Sequence, residues 1–211
     1  CYSLIMALNI NGTTGISGVD GSVSAPAVTG TDSNTGIIFP SADTIKFATG
    51  GVERMLIDNS AVVAKGHVLQ VVSGDYSTAV ASTSASYVDT GLSKSITPLQ
   101  TGSFILVLIQ QHVKAARNND AAFLAIKIVQ DSTSIFTNAV SYQMGIQAVG
   151  SSQVNLRFPM FLSHFGTHGV SAGTSTTYKT QILNHQTSNS GSATAQDGGS
   201  TSRITLMEIG V

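Results

Sequence analysis

The chain of 211 residues carries one Cys, no Trp, 10% charged residues and a formal net charge of −1. A single thiol excludes an intrachain disulfide framework, the lack of a basic excess argues against a nucleic-acid partner, and no run reaches the ~20 apolar residues of a helical membrane span. Charge well below the usual ~25%, combined with 42% hydrophobic residues and abundant Ser, Thr and Gly, predicts an ordered all-β protein. The length suits one domain of about 100–150 residues with an appendage.

The first ten residues, CYSLIMALNI, are moderately apolar without a basic leader, so no signal peptide is expected. Leu8, Ile10 and Ile16 are spaced apolar residues in a Gly- and Thr-rich context. Residues 22–30 (SVSAPAVTG) read as a linker of small residues. From Thr31 to Ala64 the chain is cut into short strands: Gly36–Phe39, Thr44–Ala48, Val52–Ile57 and Ala61–Ala64. The separators are turn chemistry: Asp32-Ser33-Asn34, Pro40-Ser41-Ala42-Asp43, Thr49-Gly50-Gly51 and Asp58-Asn59-Ser60. Gly supplies positive φ, Pro fixes φ, and Asp and Asn bond back to the local backbone.

Apolar residues recur in these strands at a spacing of two, as Ile37 and Phe39, Ile45 and Phe47, Met55 and Ile57. Each pair therefore lies on one face of its strand. A meander this small does not offset an ordering entropy of about 1–2 kcal/mol per residue on its own. Packing its apolar face against identical copies is the expected remedy, giving a trimeric stalk over residues 31–66 whose core candidates are these six residues. Adjacent Glu53 and Arg54 point to opposite faces, so each is expected to pair with another chain or to stay solvated, as is Lys46.

Beyond Lys65-Gly66 the strands lengthen, and residues 67–211 are expected to form one antiparallel β-sandwich of jelly-roll type. Strands are predicted at Val68–Val72, Ser82–Asp89, Leu92–Thr97, Phe104–Val113, Phe123–Val129, Ser134–Phe136, Tyr142–Ala148, Gln153–Leu162, Thr176–Asn184 and Arg203–Ile209. The continuous apolar run FILVLIQQHV reads as a strand covered on both faces. In FLAIKIV, the alternation assigns Leu124, Ile126 and Ile128 to the core. The Ala-rich window around Ala115 and Ala122 is interrupted by Asn118-Asn119-Asp120, which favours a hairpin over a helix.

His164 and His168 form the one close histidine pair, and the glycines of HFGTHG place them in a loop. Three copies on a three-fold axis can ligate a metal through one His each, but a receptor-facing loop is the plainer reading. No metal or cofactor is expected. Glycan hydrolysis needs two carboxylates facing across a cleft. The larger region offers only Asp75, Asp89, Asp120, Asp131, Asp197 and Glu208. With no positioned acid, base and nucleophile, no enzymatic activity is expected. The polar turns at Arg117, Asn118, Asn119 and Asp120 and at residues 188–202 are where binding on a rigid β-scaffold ordinarily resides.

The segment Ser24–Asp58, SAPAVTGTDSNTGIIFPSADTIKFATGGVERMLID, resembles the fibre and spike proteins of tailed bacteriophages. MALNINGTTGISGVDGS, residues 6–22, resembles the start of short phage fibres, which would make Met6 the initiator. SYVDTGLSKSITPL, TTYKTQI and STSRITLMEIGV resemble fibre head domains, which end on a buried strand; the resemblance implies that Ile204, Leu206 and Ile209 would face the core there. The resemblance implies a virion protein: residues 1–30 would dock on other virion proteins of the tail or capsid through Leu8, Ile10 and Ile16. The head would meet a host-surface glycan or protein through Arg117, Asn118, Asn119, Asp120, His164 and His168. A homotrimeric tail fibre for host attachment is the leading expectation. A capsid-bound head fibre or cement protein is the alternative, and a glycan depolymerase a more distant one.

Overall fold

The computed structural model describes residues 10–11, 15–16, 20–118, 121–137, 144–146 and 153–211. Among them there is no α-helix, and the chain is built from antiparallel sheets. It divides into two compact units, Cys1–Lys65 and Gly66–Val211.

The first unit opens with two minimal ladders, β1 (Ile10–Asn11) with β2 (Gly15–Ile16) and β3 (Gly21–Ser22) with β4 (Ala25–Pro26). Part of the segment read as a linker is therefore paired. A five-stranded meander follows in simple chain order: β5 (Val28–Thr29), β6 (Gly36–Ile38), β7 (Ile45–Thr49), β8 (Val52–Ile57) and β9 (Val62–Ala64). The expected turn chemistry forms. Asp58 Oδ1 accepts from the Ser60 and Ala61 amides at 2.8 and 3.0 Å. Asp32 accepts from the Asn34 amide at 3.3 Å and from the Thr35 hydroxyl at 2.6 Å. The Thr35 hydroxyl bond, then the Asn34 amide, hold the Asp32 carboxyl below its ordinary range. A register shift between Phe47 and Ala48 leaves Arg54 unpaired in the ladder, a β-bulge.

The second unit is a sandwich. Its front sheet contains β10 (Val68–Tyr76), β11 (Val80–Ser82), β13 (Phe104–Asn118), β17 (Gln153–Thr167), β19 (Ser192–Ala195) and β20 (Ser202–Ile209). The back sheet contains β12 (Val88–Ile96), β14 (Ala122–Gln130), β15 (Thr133–Thr137), β16 (Met144–Ile146) and β18 (Thr176–Asn184). The fifteen-residue β13 organises the front. One edge pairs with β20 through residues 104–110 and with β19 through 113–116, and the other pairs with β17 along its whole length. Among the described residues β17 is bonded on that side alone. Pro159, midway along it, lacks an amide hydrogen and suits an edge position.

Between the sheets, Leu92 and Ile96 of β12, Ile128 of β14 and Tyr178 of β18 pack on Ile105, Val107, Ile204 and Leu206. A second cluster joins Leu124, Ile126 and Ile182 to Val113, Ala115, Ala193 and Ala195. Leu124, Ile126 and Ile128 occupy the core as their alternation predicts. Four expectations change. Ser82–Asp89 is not one strand; it divides between β11 and β12. The turn read at 188–202 contains β19, whose Ala193 and Ala195 are buried. HFGTH lies within and just beyond β17 and is not an open loop. In β20, the residue facing inward after Ile204 and Leu206 is Glu208, and Ile209 is on the other face.

Candidate functional site

Five of the six stalk-core candidates lie on one face of the meander, as the strand register shows, and Phe39 directly follows β6. Val28 pairs with Ile37, Ile37 with Phe47, Phe47 with Met55 and Met55 with Ala64. Beside that row, Ile45 pairs with Ile57 and Ile57 with Val62. This face is half open within the chain: Phe39, Ile45, Phe47, Val28 and Val62 are all exposed, Phe47 to 36%. The buried side chains Ile38 and Ala48 belong to the opposite face. The polar partners of the unit are also internal. Lys46 Nζ is 2.7 Å from Glu53, and Arg54 Nε donates to Thr49 Oγ1 at 2.8 Å. Glu53 and Arg54 thus need no second chain for their pairing.

Of the N-terminal candidates, Ile10 and Ile16 are register partners in the β1–β2 ladder, and Leu8 lies outside the described residues. Of the polar turn, Asn119 and Asp120 also lie outside them. Arg117 is not a surface contact residue. It is buried, and its guanidinium donates to the Ser188 carbonyl, the Ser188 hydroxyl and the Ala121 carbonyl at 3.2, 2.5 and 3.0 Å. The Asn118 amide donates to the Asn189 carbonyl at 2.9 Å. Arg117 and Asn118 therefore tie the end of β13 to the 188–190 turn.

The histidine pair separates. His164 sits on the inward-leaning side of β17, and burial lowers its imidazole pKa. His168 is buried and belongs to a closed network, so its ring is not available to a receptor. Its Nε2 lies 3.1 Å from Ser103 Oγ and 3.2 Å from the Gln100 carbonyl, and its Nδ1 accepts from the Val170 amide at 3.3 Å. Ser103 Oγ is 2.6 Å from Glu208 Oε1.

Glu208, fully buried, is the centre of this network. Its carboxylate accepts from the Leu99 amide at 2.9 and 3.0 Å, from the Gln100 amide at 3.0 Å and from Gln70 Nε2 at 2.7 Å. Burial alone raises its pKa, but the bonds from Gln70, Ser103, Leu99 and Gln100 outweigh burial and hold it below the ordinary value. A serine, a histidine and a glutamate meet here, yet in the wrong order for nucleophilic catalysis. The hydroxyl stands between carboxylate and imidazole, whereas an activated nucleophile needs the imidazole between the other two. What the arrangement does is fasten the 97–103 turn to β10, β20 and the segment after β17.

The remaining described carboxylates of the sandwich are likewise engaged. Asp75 pairs with Arg203, with two contacts at 2.7 Å. Asp89 binds Lys179 and Gln181, Asp197 binds Lys114 and Arg157, and Asp131 accepts from Thr176 and Thr177. Among the described residues, no cluster of three or more His, Cys, Asp or Glu is arranged to hold a metal ion. No described helix is long and apolar enough to cross a membrane.

What sequence reasoning missed is on the outward face of the front sheet, where Phe161 and Phe165 stand 72% and 57% exposed. Reading β17 as ending at Leu162 hid the alternation Phe161, Ser163, Phe165 that carries the signal.

No protein-family model and no curated protein matches the chain. Similar solved structures are VP2 proteins of infectious bursal disease virus. A mutant VP2 in derived T=1 particles is 10% identical with a TM-score of 0.30, over 90% of this chain and 53% of that one. The structure from the Gt strain is 12% identical with a TM-score of 0.26, over 92% and 56%. The VP2 subviral particle is 10% identical with a TM-score of 0.27, over the same shares. The chain thus spans about half the length of these virus-particle proteins.

Proposed function

We propose that this chain is a subunit of a homotrimeric fibre of a tailed-phage virion, a non-enzymatic tail fibre that attaches the particle to the host surface. The observation that carries the reading is the apolar row Val28, Ile37, Phe47 and Met55, in register across β5 to β8 and half exposed. A unit whose buried hydrophobic residues, among those described, are Ile38, Ala48 and Ala64 gains its missing core from copies of itself, since identical faces present the same strands at the same height. The segment that forms this row is also the one that resembles phage fibres. The engaged carboxylates of the sandwich fit a structural rather than hydrolytic role.

Cryo-electron microscopy of purified virions tests this directly. A few trimers at the tail, together with loss of adsorption when the gene is deleted, is the expected result. Many copies on the capsid shell would replace attachment by a head-fibre or cement role. Absence from the particle would overturn the reading altogether.

A further inference from the structure

We propose that the sandwich has its own self-association surface: the outward face of the β10–β20–β13–β17 sheet, centred on Phe161 and Phe165, which packs against other copies of this chain. The inference rests on the fibre reading for its partner and goes beyond it in placing a second, independent contact in the head.

Strand register assembles the face. Val71 pairs with Met207, Met207 with Leu106, and Leu106 with Phe165, making an apolar row across all four strands. The next row out pairs Ser73, Thr205, Leu108 and Ser163, and the one after it Asp75, Arg203, Gln110 and Phe161. Phe104 stacks on Phe165 with ring centroids 4.9 Å apart. Leu108, Gln110, Phe161, Ser163, Arg203 and Thr205 line an open hollow of about 380 Å³ between the rows.

Three observations point to coverage by a copy. First, FILVLIQ in β13 is apolar on both faces, yet only Ile105, Val107 and Ile109 are buried within the chain, while Leu108 on the other face is 39% exposed. A strand that faces water reads polar on alternate positions; this one is written for a second covering layer. Second, the face is electrically closed. Its described charged residues are matched within the chain, Arg203 by Asp75 and both Lys114 and Arg157 by Asp197. A patch that meets its own copy must not carry uncompensated charge, whereas one built for a charged partner would. Third, the area suits an interface. Phe161, Phe165, Leu108, Val71 and Val68 leave roughly 500 Å² of apolar surface in water, given about 200 Å² per aromatic side chain, at the upper end of what monomers expose. A standard interface of about 800 Å² per partner, somewhat over half of it apolar, needs about that much.

The chain contains no Trp, so Phe161→Trp in the full-length protein gives a single reporter. In the oligomer detected by sedimentation, a blue-shifted emission and lost acrylamide quenching are expected, and the stalk variant Phe47→Ser should leave that shielding in place wherever oligomer persists. A trimer whose indole is red-shifted and freely quenched overturns this inference while leaving the fibre reading intact. A monomer with an exposed indole at micromolar concentration overturns both. As a second readout, Phe161→Asp with Phe165→Asp should weaken self-association at least about 100-fold, as expected when two central aromatic anchors are lost. Unchanged association with native circular dichroism overturns the placement of the contact. The indole readout decides if the double variant does not fold.

Discussion

Replacing Glu208 by Gln isolates the charge of the buried carboxylate, because the two side chains have the same shape. The carboxylate receives four donor groups: the Leu99 and Gln100 amides, the Ser103 hydroxyl and the Gln70 amide. Gln70 can rotate its own amide to present oxygen to the new NH₂ group, giving up its bond to the Thr97 carbonyl, and the other three donors keep an acceptor. What is lost is charge assistance and that one neutral bond. Bonds to charged groups contribute about 1.5–3 kcal/mol and neutral ones about 0.5–1.5, and desolvating the wild-type carboxylate offsets part of that difference. Glu208→Gln should therefore cost about 2 kcal/mol in urea unfolding at neutral pH. Glu208→Leu leaves the Leu99 and Gln100 amides without partners, at about 1–3 kcal/mol each, while the Ser103 hydroxyl keeps the Gln100 carbonyl and the His168 ring; it should cost about 2–6 kcal/mol.

The pH dependence follows from the same bonds. Because the folded pKa of Glu208 is depressed, its contribution is complete above the unfolded pKa and is lost as pH falls through the folded one. The gap between wild type and Glu208→Gln should therefore close on acidification, since a protonated Glu is nearly a Gln. Equal stability at neutral pH, or a gap that persists unchanged below the folded pKa, would refute the argument.

Further expectations concern other parts of the sandwich. Ile126→Ala, at a fully buried position between the sheets, should cost about 2–5 kcal/mol with an unchanged denaturant slope; a midpoint equal to wild type would show that the site is not packed. Gly91 has φ +84°, and a Cβ there would meet the Tyr76 ring, so Gly91→Ala should cost about 2–4 kcal/mol from strain and overpacking together. If its melting curve overlays that of wild type, the β12 backbone is not held as described. Burial, helped by the nearby Asp131 charge, pushes the Tyr178 phenol up to about 12. A raised folded pKa means its contribution is whole below pH ~10 and is lost as pH rises toward 12, by up to about 3 kcal/mol. Phenolate absorbance should show a tyrosine ionising well after the others, near pH 12, and its titration with the rest would contradict the burial.

Period-two alternation made much of the fold legible. It placed Leu124, Ile126 and Ile128 in the core, and turn residues such as Asp32 and Asp58 marked where the meander reverses. It failed where chemistry overrides hydrophobicity. In the last strand, hydrophobicity favours Ile209 over Glu208 as the inward residue, but parity with Ile204 and Leu206 points the glutamate inward, and five hydrogen bonds compensate its burial. Small side chains hid β19, because SATA has too little apolar bulk to be recognised beside glycines. The receptor role expected of Arg117 and His168 failed for a related reason: polar residues next to turns are as often anchors for those turns as surfaces for a partner. The apolar face of the meander was legible from spacing alone, because Ile37, Phe47 and Met55 stay in register on one side of the bulge that follows Phe47.

The central position of β20 also governs how the sandwich can form. It lies between β10, which opens the unit, and β13, while the Gly210 amide bonds to the His67 carbonyl and the Gly66 amide to the Gly210 carbonyl at 2.9 and 2.8 Å. Until residues 202–210 have been synthesised, two strand edges of the front sheet stand open and no nucleus spanning the sheet can close. Contacts this distant in sequence slow folding, and the emergence of residues 202–210 becomes the event that commits the domain. A chain cut before residue 202 would keep the back sheet and the pairing of β13 with β17 and β19, but would leave β10 without a neighbour among the described strands and one edge of β13 open along residues 104–110. It would expose template edges prone to pairing with other nascent copies, so the fold itself checks that this strand is in place before any assembly begins.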